Sequence, residues 1–295
     1  MITEITDVSD GLKWAPACGL TILALLLAKG FCPWIGMWVL VLGLFFAAKW
    51  ISLHPLLLSA KPVRGGRLLA YLLLWPGMDA RAFCAKGFAP DPQIGEWVAA
   101  VGKTASGAAL LWVGVRFIGL RHPLLRGWVG LIAMVLLVHF GLFQLLSLLW
   151  RARHVNARPI MQSPATATSI GRFWSRGWNT AFTDLMHNHL FKSLARRSGP
   201  AAGLLMIFVV SGLLHELVIS VPARTGYGLP TFYFITQGLG LLFERSHFGR
   251  KLGLGSGWKG WCFVTLIAGV PAFWLFPPAF VYNVILPMLH AIGAT

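Results

Sequence analysis

Charged residues are scarce in this sequence, and acidic residues are the scarcest of them. Only 12% of the 295 residues are charged, with 9 Asp and Glu against 25 Lys and Arg. A soluble domain carries about 25% charged residues, so this chain has roughly half the usual supply. Hydrophobic residues make up 57% of the chain. This composition predicts an all-α protein that crosses a membrane several times.

Cysteine is also scarce, and its spacing excludes two classes of small domain. The four cysteines are isolated, and no CxxC pair occurs. Neither a disulfide framework nor a cysteine zinc site is therefore indicated. The first ten residues, MITEITDVSD, are acidic and lack the positive start of a cleaved signal peptide. We expect the first apolar run to remain in the mature protein.

Long apolar runs dominate the rest of the chain. A helix needs about 20 mainly apolar residues to cross a bilayer, which predicts seven to nine transmembrane helices in one membrane domain, 1–295. Residues 67–77 are too few to cross a bilayer alone, so we expect them to form a re-entrant or interfacial segment. Lys49 and Lys103 lie within candidate spans and should snorkel or face a polar interior. The candidate spans are 14–29, 34–54, 97–120, 127–150, 201–221, 228–244, 259–277 and 279–293.

The basic residues fall in the gaps between the apolar runs. Their pattern is typical of cytoplasmic loops facing anionic headgroups, and it argues against a nucleic-acid-binding domain despite the net charge of +16. It predicts a multi-pass protein with the N-terminus and the 151–200 loop in the cytoplasm. The basic segments are 61–67, 151–158, 192–197 and 245–251.

The 151–200 loop is longer than a simple connection requires. From Ser169, a possible N-cap, its sequence fits an amphipathic helix lying at the cytoplasmic interface. The apolar side comprises Phe173, Trp174, Trp178, Phe182 and Leu185. The polar side comprises Arg172, Arg176, Asn179, Thr180, Thr183 and His187. A simple membrane anchor would explain this helix, although it explains Asn179 least well.

An adjacent His215 and Glu216 stand within the apolar run SGLLHELV, 211–218. Ile219 occupies the position of the second histidine of a zinc-binding HExxH motif, so no metal site is expected. His215 could act as a general base, with Ser211 and Gly212 leaving room for a substrate one turn away. Alternatively, it is a packing histidine bonded to a neighbouring helix.

Together, the FWSRGWN segment (173–179) and SGLLHE (211–216) resemble the membrane-bound O-acyltransferases. The resemblance covers about 160–245 and is nearest to the wax synthase-like branch. It implies helices that surround an intramembrane reaction chamber. Acyl-CoA would reach this chamber from the cytosol and a lipophilic alcohol from the bilayer, with no cofactor.

The resemblance also implies roles for individual residues. Asn179 and His215 match the family's paired Asn and His, with His215 as general base and Asn179 positioning the acyl donor. Two other readings stay open on the sequence alone, a proton-coupled transporter or flippase and a catalytically inactive relative. The further candidate substrate-binding residues are Arg172, Trp174, Arg176, Trp178, Ser211 and Glu216.

Overall fold

A computed structural model describes residues 2–59, 63–85 and 89–295, with side chains from residue 13 onward. Every regular element in these ranges is helical, and no strand occurs among them, which confirms the all-α class. The helices in chain order are α1 (Ile2–Ala28), α2 (Pro33–Leu57), α3 (Gly65–Leu74), α4 (Ala80–Cys84), α5 (Ile94–Trp112), α6 (Pro123–Met134), α7 (Phe143–Arg151), α8 (Ile170–Arg172), α9 (Thr180–Met186), α10 (Lys192–Ser198), α11 (Pro200–Val218), α12 (Ser220–Ala223), α13 (Leu229–Arg245), α14 (His247–Lys251), α15 (Gly257–Val264), α16 (Ala272–Leu275), α17 (Pro278–Phe280) and α18 (Leu286–Ala291). Wider π-helical turns are Val135–Leu142, Phe173–Gly177, His187–Phe191, Thr265–Gly269 and Val281–Ile285.

Five helical stretches in the described ranges are long and apolar enough to cross a membrane. This agrees with a polytopic membrane protein, while the count of seven to nine spans stays a prediction. The predicted span 228–244 corresponds to α13, which has 17 residues and is shorter than the five. The five stretches are Pro33–Leu57, Ile94–Phe117, Pro123–Arg151, Pro200–Ala223 and Gly257–Leu275.

The short apolar segment at 67–77 is fixed to α2 by Lys49. The ten-residue α3 begins two residues earlier, at Gly65, and ends at Leu74, after which the segment runs on without helix to Gly77. Lys49 has no solvent exposure, and its Nζ donates to the carbonyl oxygens of Tyr71 at 2.8 Å and Gly77 at 2.7 Å. Lys49 therefore faces a polar interior instead of snorkelling. Lys103 is exposed, with its Nζ 5.9 Å from the Phe140 ring centroid.

Replacement of Lys49 by Met should lower the free energy of unfolding, because two buried carbonyls lose a charged donor. Each group left unpaired costs about 1–3 kcal/mol. The measurement is the apparent unfolding temperature of the purified protein in detergent. Lys103→Met is the matched control and should change that temperature much less. Equal shifts in the two variants would show that the hydrogen bonds of Lys49 do not add to the stability of the fold.

Helices α11 and α13 pack against each other in antiparallel orientation. A Cβ atom at Gly212 would lie 2.5 Å from Cα of Thr231, so only glycine permits this approach. Further along, a Cβ at Gly238 would lie 2.9 Å from Leu205 and 3.0 Å from Phe208. Small residues at a helix contact let two backbones come close within a membrane. The pair forms the frame on which the candidate site is built.

The predicted amphipathic helix after Ser169 is not continuous. The side chain of Ser169 accepts a hydrogen bond from the Arg172 N–H at 2.9 Å, which confirms it as an N-cap. The helix then breaks, because Trp178 is extended and Asn179 is left-handed with φ of 46°. A second helical run begins at α9. The expectation of one helix was wrong here, while the interfacial position of the segment stays a prediction.

Candidate functional site

The imidazole of His215 lies on α11 with one ring nitrogen engaged. Its Nδ1 is 2.7 Å from the carbonyl oxygen of Ser211. A carbonyl only accepts, so in the neutral ring Nδ1 carries the proton and Nε2 keeps a lone pair. No hydrogen bond to Nε2 occurs within the described residues. The ring centroid of Phe234, on α13, lies 4.4 Å away. The arrangement leaves Nε2 able to accept a proton.

Ser211 and Gly212 do not provide the space that the sequence suggested. The Ser211 hydroxyl is buried and donates to the Ile207 carbonyl of its own helix at 2.9 Å. The surface at Gly212 is covered by Thr231, because the two helices cross at this point. Gly212 therefore serves helix packing. A substrate contact by Ser211 stays a prediction.

Glu216 holds the beginning of α13. Its Oε1 accepts from the backbone N–H of Gly228 at 3.0 Å, from the N–H of Thr231 at 3.1 Å and from the Thr231 hydroxyl at 2.9 Å. The first N–H groups of a helix lack partners within the helix, and a carboxylate there also meets the positive end of the dipole. These contacts give Glu216 a structural task. Its predicted substrate contact stays untested.

Asn179 forms the corner between the two parts of the broken helix. Asparagine adopts left-handed backbone angles more readily than most residues. Its Oδ1 accepts from the Phe182 N–H at 3.2 Å and so caps α9. Its Nδ2 group makes no hydrogen bond in the part of the chain that the structure describes. This amide therefore has two donors available for a bound molecule.

Trp174 connects the Asn179 segment to His215 through α13. The Trp174 and Phe234 ring centroids are 5.5 Å apart, and Phe234 is also the ring beside His215. The indole Nε1 of Trp174 donates to Oε1 of Gln237 at 3.3 Å. Phe234 and Gln237 are three residues apart and share a face of α13. One helix face thus contacts both parts of the candidate site.

The same helix anchors the start of the segment through Glu244. This buried carboxylate accepts from the backbone N–H of Ile170 at 2.6 Å and of Gly171 at 3.4 Å. Sequence reasoning missed Phe234, Gln237 and Glu244 as site-forming residues. The available signal was their spacing of three and seven, which puts two polar groups of an apolar helix on one face.

A polar cavity of about 500 Å³ lies beside the corner at Asn179. Burial raises the pKa of the Asp184 carboxyl in its wall, and the charge of Arg158 opposes this rise. Both arginines are exposed, and Arg176 lines the cavity whereas Arg172 does not. Only one of the two arginines predicted on the polar face therefore reaches this space. The wall comprises Trp75, Gly77, Met78, Asp79, Ala82, Asn156, Arg158, Ile160, Gln162, Ser175, Arg176, Thr180, Ala181 and Asp184.

Trp178 packs against aromatic rings and does not line this cavity. Its ring centroid lies 6.1 Å from that of Phe173, with 6° between the planes, and 6.5 Å from that of His139, with 17° between the planes. Phe140 meets it edge-on at 6.2 Å. Predicted contacts of Trp174 and Trp178 with substrate remain untested.

A comparison with known protein families falls on this same part of the chain. Residues 157–236 match the family model described as "Membrane bound O-acyl transferase family". The match covers 80 of the 295 residues, and we call these residues, which are similar to that family, the O-acyltransferase segment. It contains both Asn179 and His215. Together with the five membrane-length helices, it makes the chain an integral membrane protein.

Two plant proteins share part of this sequence. Probable long-chain-alcohol O-fatty-acyltransferase 2 of Arabidopsis thaliana is 35% identical over 68 residues, which is 20% of this chain and 20% of the relative. Probable long-chain-alcohol O-fatty-acyltransferase 1 of the same plant is 35% identical over 71 residues, 21% of each chain. The matches span about a fifth of the length of these curated relatives, and they support a similarity to the wax synthase-like branch.

Substitution of Glu244 by Ala should destabilise the start of α8, at Ile170. The Ile170 N–H would lose its buried acceptor, at a cost of about 1–3 kcal/mol. Glu244→Gln retains one acceptor oxygen and should lose less. The apparent unfolding temperature in detergent distinguishes the two. If Ala and Gln give the same temperature as the unsubstituted protein, the carboxylate does not hold this segment.

Proposed function

We propose that the protein is a membrane O-acyltransferase that transfers a fatty acyl group from acyl-CoA to the hydroxyl of a lipophilic alcohol, as a wax ester synthase does. The observation that carries the proposal is the hydrogen bond from Nδ1 of His215 to the Ser211 carbonyl, within the O-acyltransferase segment. It leaves Nε2 ready to accept a proton. The names of the two relatives support a long-chain alcohol as acceptor and a fatty acyl group as cargo.

In the proposed reaction, His215 acts directly on the acceptor. Its Nε2 takes the hydroxyl proton while the hydroxyl oxygen attacks the carbonyl carbon of the thioester. The carbon–sulfur bond then breaks, the ester forms, and the imidazole returns the proton to the departing thiolate. The products are an ester and free CoA thiol, and no covalent enzyme intermediate is required. A general base of this kind contributes about 10²–10⁴-fold to the rate.

Asn179 is proposed to position the acyl donor. Its Oδ1 is engaged in capping α9, so its Nδ2 donors are the part of the side chain free to bind the thioester carbonyl or the CoA arm. The left-handed corner turns this amide away from the regular helix on either side. Holding donor and acceptor together supplies proximity to the reaction.

The cavity beside Asn179 is the proposed site of the CoA arm. The arm is a chain of amides and hydroxyls that ends in phosphates. The cavity offers polar partners along its wall, with Arg158 and Arg176 as cations for phosphate oxygens. In this proposal the 151–200 region and the N-terminus face the cytoplasm, where acyl-CoA is found. Membrane lipids surround the remaining surface.

Replacement of His215 by Ala should lower kcat by about 10²–10⁴-fold, because the acceptor hydroxyl loses its base. The assay uses purified protein in detergent with labelled acyl-CoA and a panel of long-chain alcohols, and it measures the ester formed. His247→Ala, an exposed histidine of α14, is the control.

Two results of this assay would contradict the proposal. Undiminished ester formation by His215→Ala removes the catalytic role of the imidazole. No ester with any acceptor from the unsubstituted protein points instead to a transporter or to an inactive relative.

Arg176→Gln should raise the KM for acyl-CoA about tenfold or more, because a charge-assisted hydrogen bond to phosphate is lost. With an acyl-pantetheine donor, which lacks the nucleotide and its phosphates, the same substitution should have little effect. Arg172→Gln is the matched comparison and should raise the KM less, since Arg172 does not line the cavity. A larger effect at Arg172 would place the CoA phosphates outside the cavity.

A further inference from the structure

Trp178 is held by rings from a neighbouring membrane helix. Its indole lies nearly parallel to the imidazole of His139, with centroids 6.5 Å apart, and edge-on to Phe140. Phe143, one turn beyond His139, meets the imidazole edge-on at 5.3 Å. Aromatic pairs with centroids 4.5–7 Å apart stabilise a contact beyond the area they bury. His139 thus links the long span Pro123–Arg151 to the residue that precedes Asn179.

The backbone around His139 is fixed in an uncommon form. His139 lies in the π-helical stretch Val135–Leu142, and π turns inside α-helices are rare and frequent at functional sites. Helix α5 packs against this stretch at two places. A Cβ at Gly107 would lie 2.5 Å from the Leu137 backbone nitrogen, and one at Gly141 would lie 2.5 Å from Oγ1 of Thr104. This packing fixes the wide turn and the direction in which the His139 ring points.

His139 meets the site through the near-parallel pair that its ring forms with the Trp178 indole. Nδ1 of His139 is buried and has no hydrogen-bond partner among the described residues. A buried nitrogen without a partner does not hold a neighbour in place, whereas the parallel ring does. Among the described residues the backbone N–H of Asn179 meets the weak acceptor Sδ of Met161, and its φ is 46°. Backbone hydrogen bonds at Trp178 and Thr180 hold the corner on either side, and the ring pair adds to them.

We propose that His139 is a positioning residue for acyl transfer. Its ring holds Trp178 and, through the next peptide bond, fixes the corner from which the Asn179 amide reaches the acyl donor. The proposal rests on the proposed function. It adds a group from the third membrane-length stretch, Pro123–Arg151, to a site otherwise built from the 170–179 segment, α11 and α13.

The kinetic test is a double-mutant cycle between His139 and Asn179. His139→Leu removes the ring, and Asn179→Gly removes the amide while keeping a residue that accepts a positive φ. His139→Leu alone should lower kcat about tenfold with a smaller change in the KM for acyl-CoA, since small misplacements reduce rates strongly. In the Asn179→Gly background the same change should cost less than about twofold. His139→Phe should restore most of the rate, and Leu142→Ala, exposed on the same stretch, is the control.

Two outcomes overturn the proposal. If the losses from His139→Leu and Asn179→Gly multiply, His139 does not act through Asn179. If His139→Phe is as slow as His139→Leu, a ring nitrogen matters and not the stack.

A readout without turnover separates this proposal from the proposed function. Ser175, which lies between Trp174 and Asn179, is replaced by Cys in a chain whose four native cysteines are changed to Ala. Maleimide labelling of this cysteine should be several-fold faster with His139→Leu than with His139→Phe, because the segment loosens. Equal labelling rates contradict the proposal whether or not the protein forms esters. Absence of ester with unequal labelling rates contradicts only the proposed function.

Discussion

The close crossing of α11 and α13 is the contact on which the candidate site depends. Because position 212 is glycine, the two helices meet almost backbone to backbone at Thr231. One turn beyond, Glu216 accepts hydrogen bonds from the first N–H groups of α13 and so fixes where this helix begins. The crossing sets the distance between the helices, and the carboxylate sets their register. His215 lies between these two fixed points.

Once its register is fixed, α13 aligns the preceding segment with His215. Phe234 contacts both His215 and Trp174, while Glu244 holds the first N–H of α8. These contacts lie on one helix face over about three turns. Asn179 and His215 are 36 positions apart in sequence. Helix α13 positions both, because it contacts His215 directly and contacts Trp174 in the segment that carries Asn179. This explains why the chemistry of the site requires α13, which carries neither residue.

The sequence was sufficient for the helical class, for the five helical stretches of membrane length and for the segment that carries Asn179 and His215. It failed where a contact depends on distant parts of the chain. Periodicity treated the segment after Ser169 as one helix, because each residue there is compatible with a helix, yet Asn179 turns left-handed. The task of Glu216 had no local signal, since its partners belong to a helix that begins only after a loop. The hydrogen-bond partners of Lys49 could not be predicted for the same reason, since they lie on a different segment of the chain.

The polar side chains of the described helices differ in how completely the protein satisfies their hydrogen bonds. A bilayer offers no water to an unpaired group, so buried charges need partners from the protein itself. Lys49 and Glu244 meet this requirement with backbone groups, and each joins two elements in doing so. His215 and Asn179 each use one atom for local structure and leave another without a protein partner in the described ranges, and Glu216 does the same with its buried Oε2. Under the proposed function, a bound substrate supplies the missing partner of His215 and of Asn179.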